Sequence, residues 1–149
     1  MSYSPYFLNA QAVGSVKSVA SNFINASGST MIKGTPAAVN TSSQLIAVDV
    51  SVEATVLAMV GLTSVVLPAA ATGGVIDNGR LEDVTYPGFN VGDPLWVSKT
   101  GGLTNVKPDI GVGGFVAGDF VIFVGVFVKN EFNSSLRDIK LMLSIVGQL

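Results

Sequence analysis

Histidine and cysteine are both absent from the 149 residues. Without histidine there is no Ser-His-Asp or Cys-His nucleophilic centre and no imidazole metal site. Without cysteine there are no disulfides and no thiolate ligands, which leaves the redox compartment open. Charge is scarce too: Asp, Glu, Lys and Arg make up 12% of the chain, about half the usual share of roughly 25%. The eight basic residues are scattered singly, so the convergent Lys/Arg surface that neutralises phosphates is missing. No nucleic acid is expected as a partner.

The longest uncharged stretch, Ala54 to Ile76, has the length of a bilayer span. It holds Gly61, Pro68, Gly73 and Gly74 among several Ser and Thr, and no Lys or Arg flanks it closely. No membrane span is expected. The chain does not open on a basic region followed by an apolar run, so no signal peptide is read. The sequons at Asn25, Asn40 and Asn133 are then chance matches.

What is present is apolar. Residues of that class make up 48%, with seventeen glycines besides. The length suits one domain. A lone monomer of this size needs more charge to keep its surface solvated, so the composition points to a chain that buries much of its surface against other chains.

The first 28 residues read as an extended arm. Ser, Asn and Ala dominate, Lys17 is the one charge, and Tyr3, Tyr6 and Phe7, followed by Leu8, supply apolar contact area. Disordered tails are usually charged and poor in aromatics, so an uncharged aromatic arm suits ordering on a partner. From residue 29 to 149 the pattern is that of a β-rich domain. Thr30 to Ile32 reads as a short strand, and Leu45 to Val52 alternates as a half-buried one. Val56 to Leu62 reads as a further apolar strand, in which Gly61 marks a bulge or a close backbone approach. Ser64 to Ala71 is expected to make irregular helical turns limited by Pro68. Asn78-Gly79 predicts a two-residue hairpin turn between Gly74–Ile76 and Leu81–Val84. A second hairpin joins Leu95–Ser98 to Leu103–Asn105 through Gly101-Gly102.

Phe120 to Val128 is apolar on both faces apart from Gly125, as in a sandwich core or a subunit interface. Phe120, Ile122, Phe123, Val126 and Phe127 are its candidate core or interface residues. Ile139, Leu141, Leu143 and Ile145 alternate as a final half-exposed strand. Seven to nine strands with almost no helix make an all-β fold, a small β-barrel or β-sandwich.

No reactive constellation emerges. Ser98-Lys99 side chains diverge on a strand, Glu82 and Asp83 diverge likewise, and Asp77 and Asp93 sit in turn contexts. Gly111, Gly113 and Gly114 do not fit a phosphate-binding fingerprint, because position 116 is Val. No enzyme activity, metal or cofactor is expected.

Several strings resemble the head-decoration, or capsid cement, proteins of bacteriophages. They are Gly34-Thr35-Pro36, Val60-Gly61-Leu62-Thr63, Asn78-Gly79-Arg80-Leu81-Glu82, Val91 to Ser98, Gly101 to Asn105, and Val146-Gly147-Gln148-Leu149. The likeness spans roughly residues 28 to 149. It implies a small β-tulip-like domain, homotrimeric, seated between capsomers on the virion surface, with an N-terminal arm on the major capsid protein. Tyr3, Tyr6, Phe7 and Leu8 are the implied capsid contacts. The same hairpin strings occur in tail and fibre modules, which keeps open a host-receptor reading. There Tyr86, Phe89 and Trp96 would contact a saccharide, although Trp96 is more readily read as core.

Overall fold

In the computed structural model, which describes residues 20–149, turn residues divide the chain into ten strands and one short helix. The first sheet contains β1 (Ala20–Ile24), β2 (Pro36–Val39), β3 (Leu45–Ala47), β4 (Met59–Thr63) and β5 (Thr72–Ile76), in the order β1-β5-β4-β2-β3. The second contains β6 (Asn78–Leu81), β7 (Pro94–Val97), β8 (Leu103–Thr104), β9 (Phe120–Lys129) and β10 (Arg137–Gln148), in the order β6-β10-β9-β7-β8. Every strand pair is antiparallel. Helix α1 is the single stretch Glu53–Leu57. This is the expected all-β architecture, sandwich-like in its two layers.

Both sheets feed one core. Ala38, Leu62 and Ile76 come from the first, and Leu95, Ile122, Val124, Phe127 and Ile139 from the second. Each of the larger side chains, once removed from water, contributes roughly 1.5–3 kcal/mol. A smaller core lies on the other side of the first sheet, where Met31, Ala37, Leu45, Leu67 and Val75 pack together. Its lid is the segment 64–71, which does not form the expected helical turns. Leu67 instead exchanges two backbone hydrogen bonds with Met31, at 2.8 and 2.9 Å. Val65 and Val66 favour extended backbone, and burying Leu67 under the lid settles the matter. Asn25, itself buried, ties the lid down. Its amide donates to the Leu67 and Ser29 carbonyls, and its Oδ1 accepts from the Ser27 N–H and hydroxyl.

Three further expectations are corrected. The arm does not extend to residue 28, because β1 begins at Ala20 and is hydrogen-bonded along β5. Phe23 packs on the smaller core there, and that burial holds the segment in the sheet. The Leu45–Val52 alternation persists as burial, with Val48 and Val50 inside, but pairing stops at Ala47. Asp49 then accepts from the Ser51 N–H and hydroxyl and so bends the chain into α1. That turn leaves Val52 exposed and gives the apolar run after it to a helix before β4.

The Asn78-Gly79 hairpin is absent. These residues lie within β6, opposite Met142 and Leu141. Only Gly79 of the two has a positive φ, 79°, so the I′ turn does not form. The chain crosses at Asp77 from one sheet to the other, which lets Ile76 and Leu81 enter the shared core from opposite layers. By contrast, the β7–β8 hairpin forms as read, pairing Val97 with Leu103. Gly61 does mark a close backbone approach, to the Ile76 carbonyl.

Gly125 carries the long strands. At φ 154° it is bulged between β10 and β7, and a Cβ there would overlap the Lys140 carbonyl oxygen. Gly125→Ala should therefore cost about 2–4 kcal/mol, seen as a lower urea midpoint at unchanged m-value. A loss under 1 kcal/mol would show that the β9–β10 pair can shift to admit the methyl.

Candidate interaction surface

A strand has two faces, and β9 is apolar on both. Ile122, Val124 and Phe127 face the shared core, and Phe120 lies half-buried against it. Phe123 points the other way. Its register partners are Trp96 on β7 and Ser144 on β10, and Trp96 in turn lies opposite Thr104 on β8. These four make a row across the outer face of the second sheet. The Trp96 and Phe123 rings meet edge to face at 5.1 Å. Trp96 is 9% exposed, and its Nε1–H finds no acceptor among the described residues. Val126, half-buried, sits further along the same face, opposite Lys140 and Pro94. The five predicted core or interface residues therefore divide: three inward, and Phe123 and Val126 outward.

The outer face changes character along its length. At the Val126 end it is polar. The buried Asp138 carboxylate accepts from Arg80 Nη1 at 3.2 Å, from the Asn130 amide at 3.1 Å and from the Asp83 N–H at 3.1 Å. Arg80 Nε also meets Glu131 at 3.1 Å. At the Phe123 end it is apolar. A groove of about 540 Å³ is lined there mainly by Val106, Pro108, Val112, Val121, Val146 and Leu149, with Lys107, Asp109 and Gln148 also at its wall. Val106 and Val146 remain 55% and 56% exposed.

The glycine-rich stretch walls this groove. Consecutive turns bond Val112 to Asp109 and Phe115 to Val112, and they drive the Phe115 ring into the shared core. Lys99 closes the wall: its Nζ meets both oxygens of the buried Asp119 carboxylate, at 2.8 and 2.7 Å, and the Val116 N–H adds a third bond at 2.9 Å. Burial opposes this carboxylate, but the Lys99 ammonium and the Val116 N–H outweigh it and hold its pKa below the ordinary value. Leu149 anchors to the same corner through its N–H on the Asp119 carbonyl. Ser98 and Lys99 serve separate ends, since the Ser98 hydroxyl accepts from Gly102.

The three aromatics of the saccharide reading do not converge. Trp96 pairs with Phe123 and is buried. Tyr86 and Phe89 stack at 5.1 Å elsewhere, with Phe89 edge-on to the core ring of Phe127. The Tyr86 hydroxyl donates to the Gly34 carbonyl, and burial pushes its pKa up to about 12. Asp93 occupies a turn as read. It accepts from the Asn105 amide and the Asn90 N–H, which lower its pKa. Tyr3, Tyr6, Phe7 and Leu8 lie outside the described residues. Among the described residues, no three metal-ligating side chains gather. The groove residues were missed in the sequence because each is a lone valine in a different segment.

Lys99→Met leaves the Asp119 carboxylate buried without its cation. A loss of about 2 kcal/mol at pH 7 is expected from the missing charged hydrogen bonds. The folded pKa is depressed, so the unfolded chain takes up this proton first as pH falls. The stabilisation is complete above the unfolded value of about 3.9 and vanishes as pH drops through the lower folded value. In Lys99→Met burial dominates, and the acid-unfolding midpoint should move to higher pH; an unmoved midpoint would deny the clasp its role. No protein-family model matches this chain, and no curated protein matches it.

Proposed function

We propose that this chain is a structural protein of a phage virion: a homotrimeric decoration, or cement, protein that binds the outer capsid surface between capsomers and stabilises the head. The observation that carries the reading is the apolar end of the second sheet's outer face, left open in a chain with only 12% charged residues. An antiparallel sheet that faces water presents polar residues there; this end presents mostly valines, with Lys107, Asp109 and Gln148 beside them. Subunit contact is the natural use of that end. The resemblance of the hairpin strings supplies the virion setting, and the aromatic segment Tyr3 to Leu8 supplies a contact for the major capsid protein. Permanent interfaces of 2,000 Å² or more are typically apolar, and many copies on one shell act together through avidity.

A second reading, a tail or fibre module that binds a host glycan, has one observation in its favour. The stacked Tyr86 and Phe89 border a groove of about 270 Å³ that also carries Asp83, Ser135 and Arg137. Aromatic faces beside a carboxylate are what sugar sites use. Copy number separates the two readings: hundreds of copies per particle for decoration, a handful for a tail.

The direct test removes residues 2–14, which precede β1 in the sequence. The truncated protein should keep its thermal midpoint and oligomeric state, while its occupancy on purified shells falls at least about ten-fold. Unchanged occupancy would sink the arm-on-capsid reading.

A further inference from the structure

The turn between β9 and β10, residues 130–136, is held stiff by its own asparagines. Asn130 Oδ1 accepts from the N–H groups of Phe132 and Asn133, at 2.9 and 3.0 Å, and Asn133 Oδ1 accepts from the Ser135 N–H and hydroxyl. The Asn130 amide is fixed in turn on the buried Asp138 carboxylate. The tip so built presents Phe132. That residue has a contact of its own within the chain, yet it stays 79% exposed, more than any other large apolar side chain among the described residues. A phenylalanine displayed on a preorganised turn loses little freedom on docking, and a few aromatic anchors commonly carry most of an interface's binding energy.

The open groove lies at the other end of the same two strands. Val121 and Gly147 pair in its wall, whereas Lys129 and Arg137 pair beside the tip. Eight residues of β9 separate the two pairs, about 26 Å of extended strand. Phe132 therefore cannot fill the groove of its own chain.

We propose that Phe132 of one copy seats between Val106, Val112 and Val146 in the groove of the next. This deepens the reading of the groove as a subunit contact and rests on it. The groove, about 540 Å³, has room for a benzyl side chain and its flanks. Charge agrees as well. Lys129 and Glu131 flank the ring, Glu131 being 54% exposed beside Arg80, while Lys107 and Asp109 stand at the groove wall. Each rim thus offers counter-ions to the other. A knob and a hole on separate parts of one surface make a head-to-tail contact, the kind that closes three-fold rings; a two-fold contact pairs one patch with itself.

Complementation tests this on the isolated full chain. Phe132→Ser removes the knob and keeps the groove, and Val146→Asp spoils the groove and keeps the knob. Both positions are exposed, so both variants should retain the parent's circular dichroism. Each alone should associate at least about 30-fold more weakly than the parent in sedimentation. An equimolar mixture at high micromolar concentration should form a one-to-one dimer and nothing larger. A Phe132→Ser chain that assembles like the parent would overturn the proposal, as would a mixture that stays monomeric. If Val146→Asp dissociates and Phe132→Ser does not, the groove remains a subunit contact and only the knob is lost. If neither dissociates, or the parent itself is monomeric, the contact reading falls with it.

Discussion

Strand β9 is apolar on both faces, and the first sheet can cover only one of them. Ile122, Val124 and Phe127 fill the space between the layers, which fixes which residues of β10 and β7 must also point inward. Phe123 and Val126 are then committed outward by the same strand. Trp96 shields Phe123 at the cost of an indole N–H without an acceptor among the described residues. Beyond that row the groove is lined mostly by apolar residues, Val106, Pro108, Val112, Val121, Val146 and Leu149, with Lys107, Asp109 and Gln148 among them. The open apolar groove is therefore the other face of the strand that organises the core, and it remains while that core keeps its register.

Polar side chains inside this body are few, and each holds a loop in place. Asn25 secures the 64–71 lid, Asp138 gathers Arg80, Asn130 and Asp83, and Asp119 joins Lys99 to the glycine-rich wall. Low-dielectric surroundings make such hubs strong when every atom is satisfied and costly otherwise. With so little charge to distribute, placing two of the ten acidic residues inside makes the outer surface still more apolar. Stability of the fold and the apolar character of the outer surface thus arise from the same allocation.

The long elements were legible because burial has a period. β9, β10 and the β7–β8 hairpin follow directly from runs of apolar residues and a glycine pair. Val48 and Val50 show the limit: their alternation reports burial, yet no ladder accompanies it. Asn78-Gly79 failed for a related reason. Turn preference is local and worth little beside the burial of Ile76 and Leu81 from opposite layers, which sends the chain across rather than back. The groove was hidden because Val106, Val112, Val121 and Val146 meet only through topology. The candidate surface was readable as a compositional surplus but not as an address.

The central claim is that the Phe123 end of the outer face is covered by another copy of the chain in solution. Sedimentation equilibrium of the purified full chain at micromolar concentration, alongside Val146→Asp, measures this directly. Val146 is exposed, so the substitution spares the core and places a charge in the contact. The account predicts a defined oligomer, a trimer on the decoration reading, that dissociates to folded monomer in Val146→Asp. A parent chain that is monomeric at that concentration, or an oligomer unaffected by the aspartate, would contradict it.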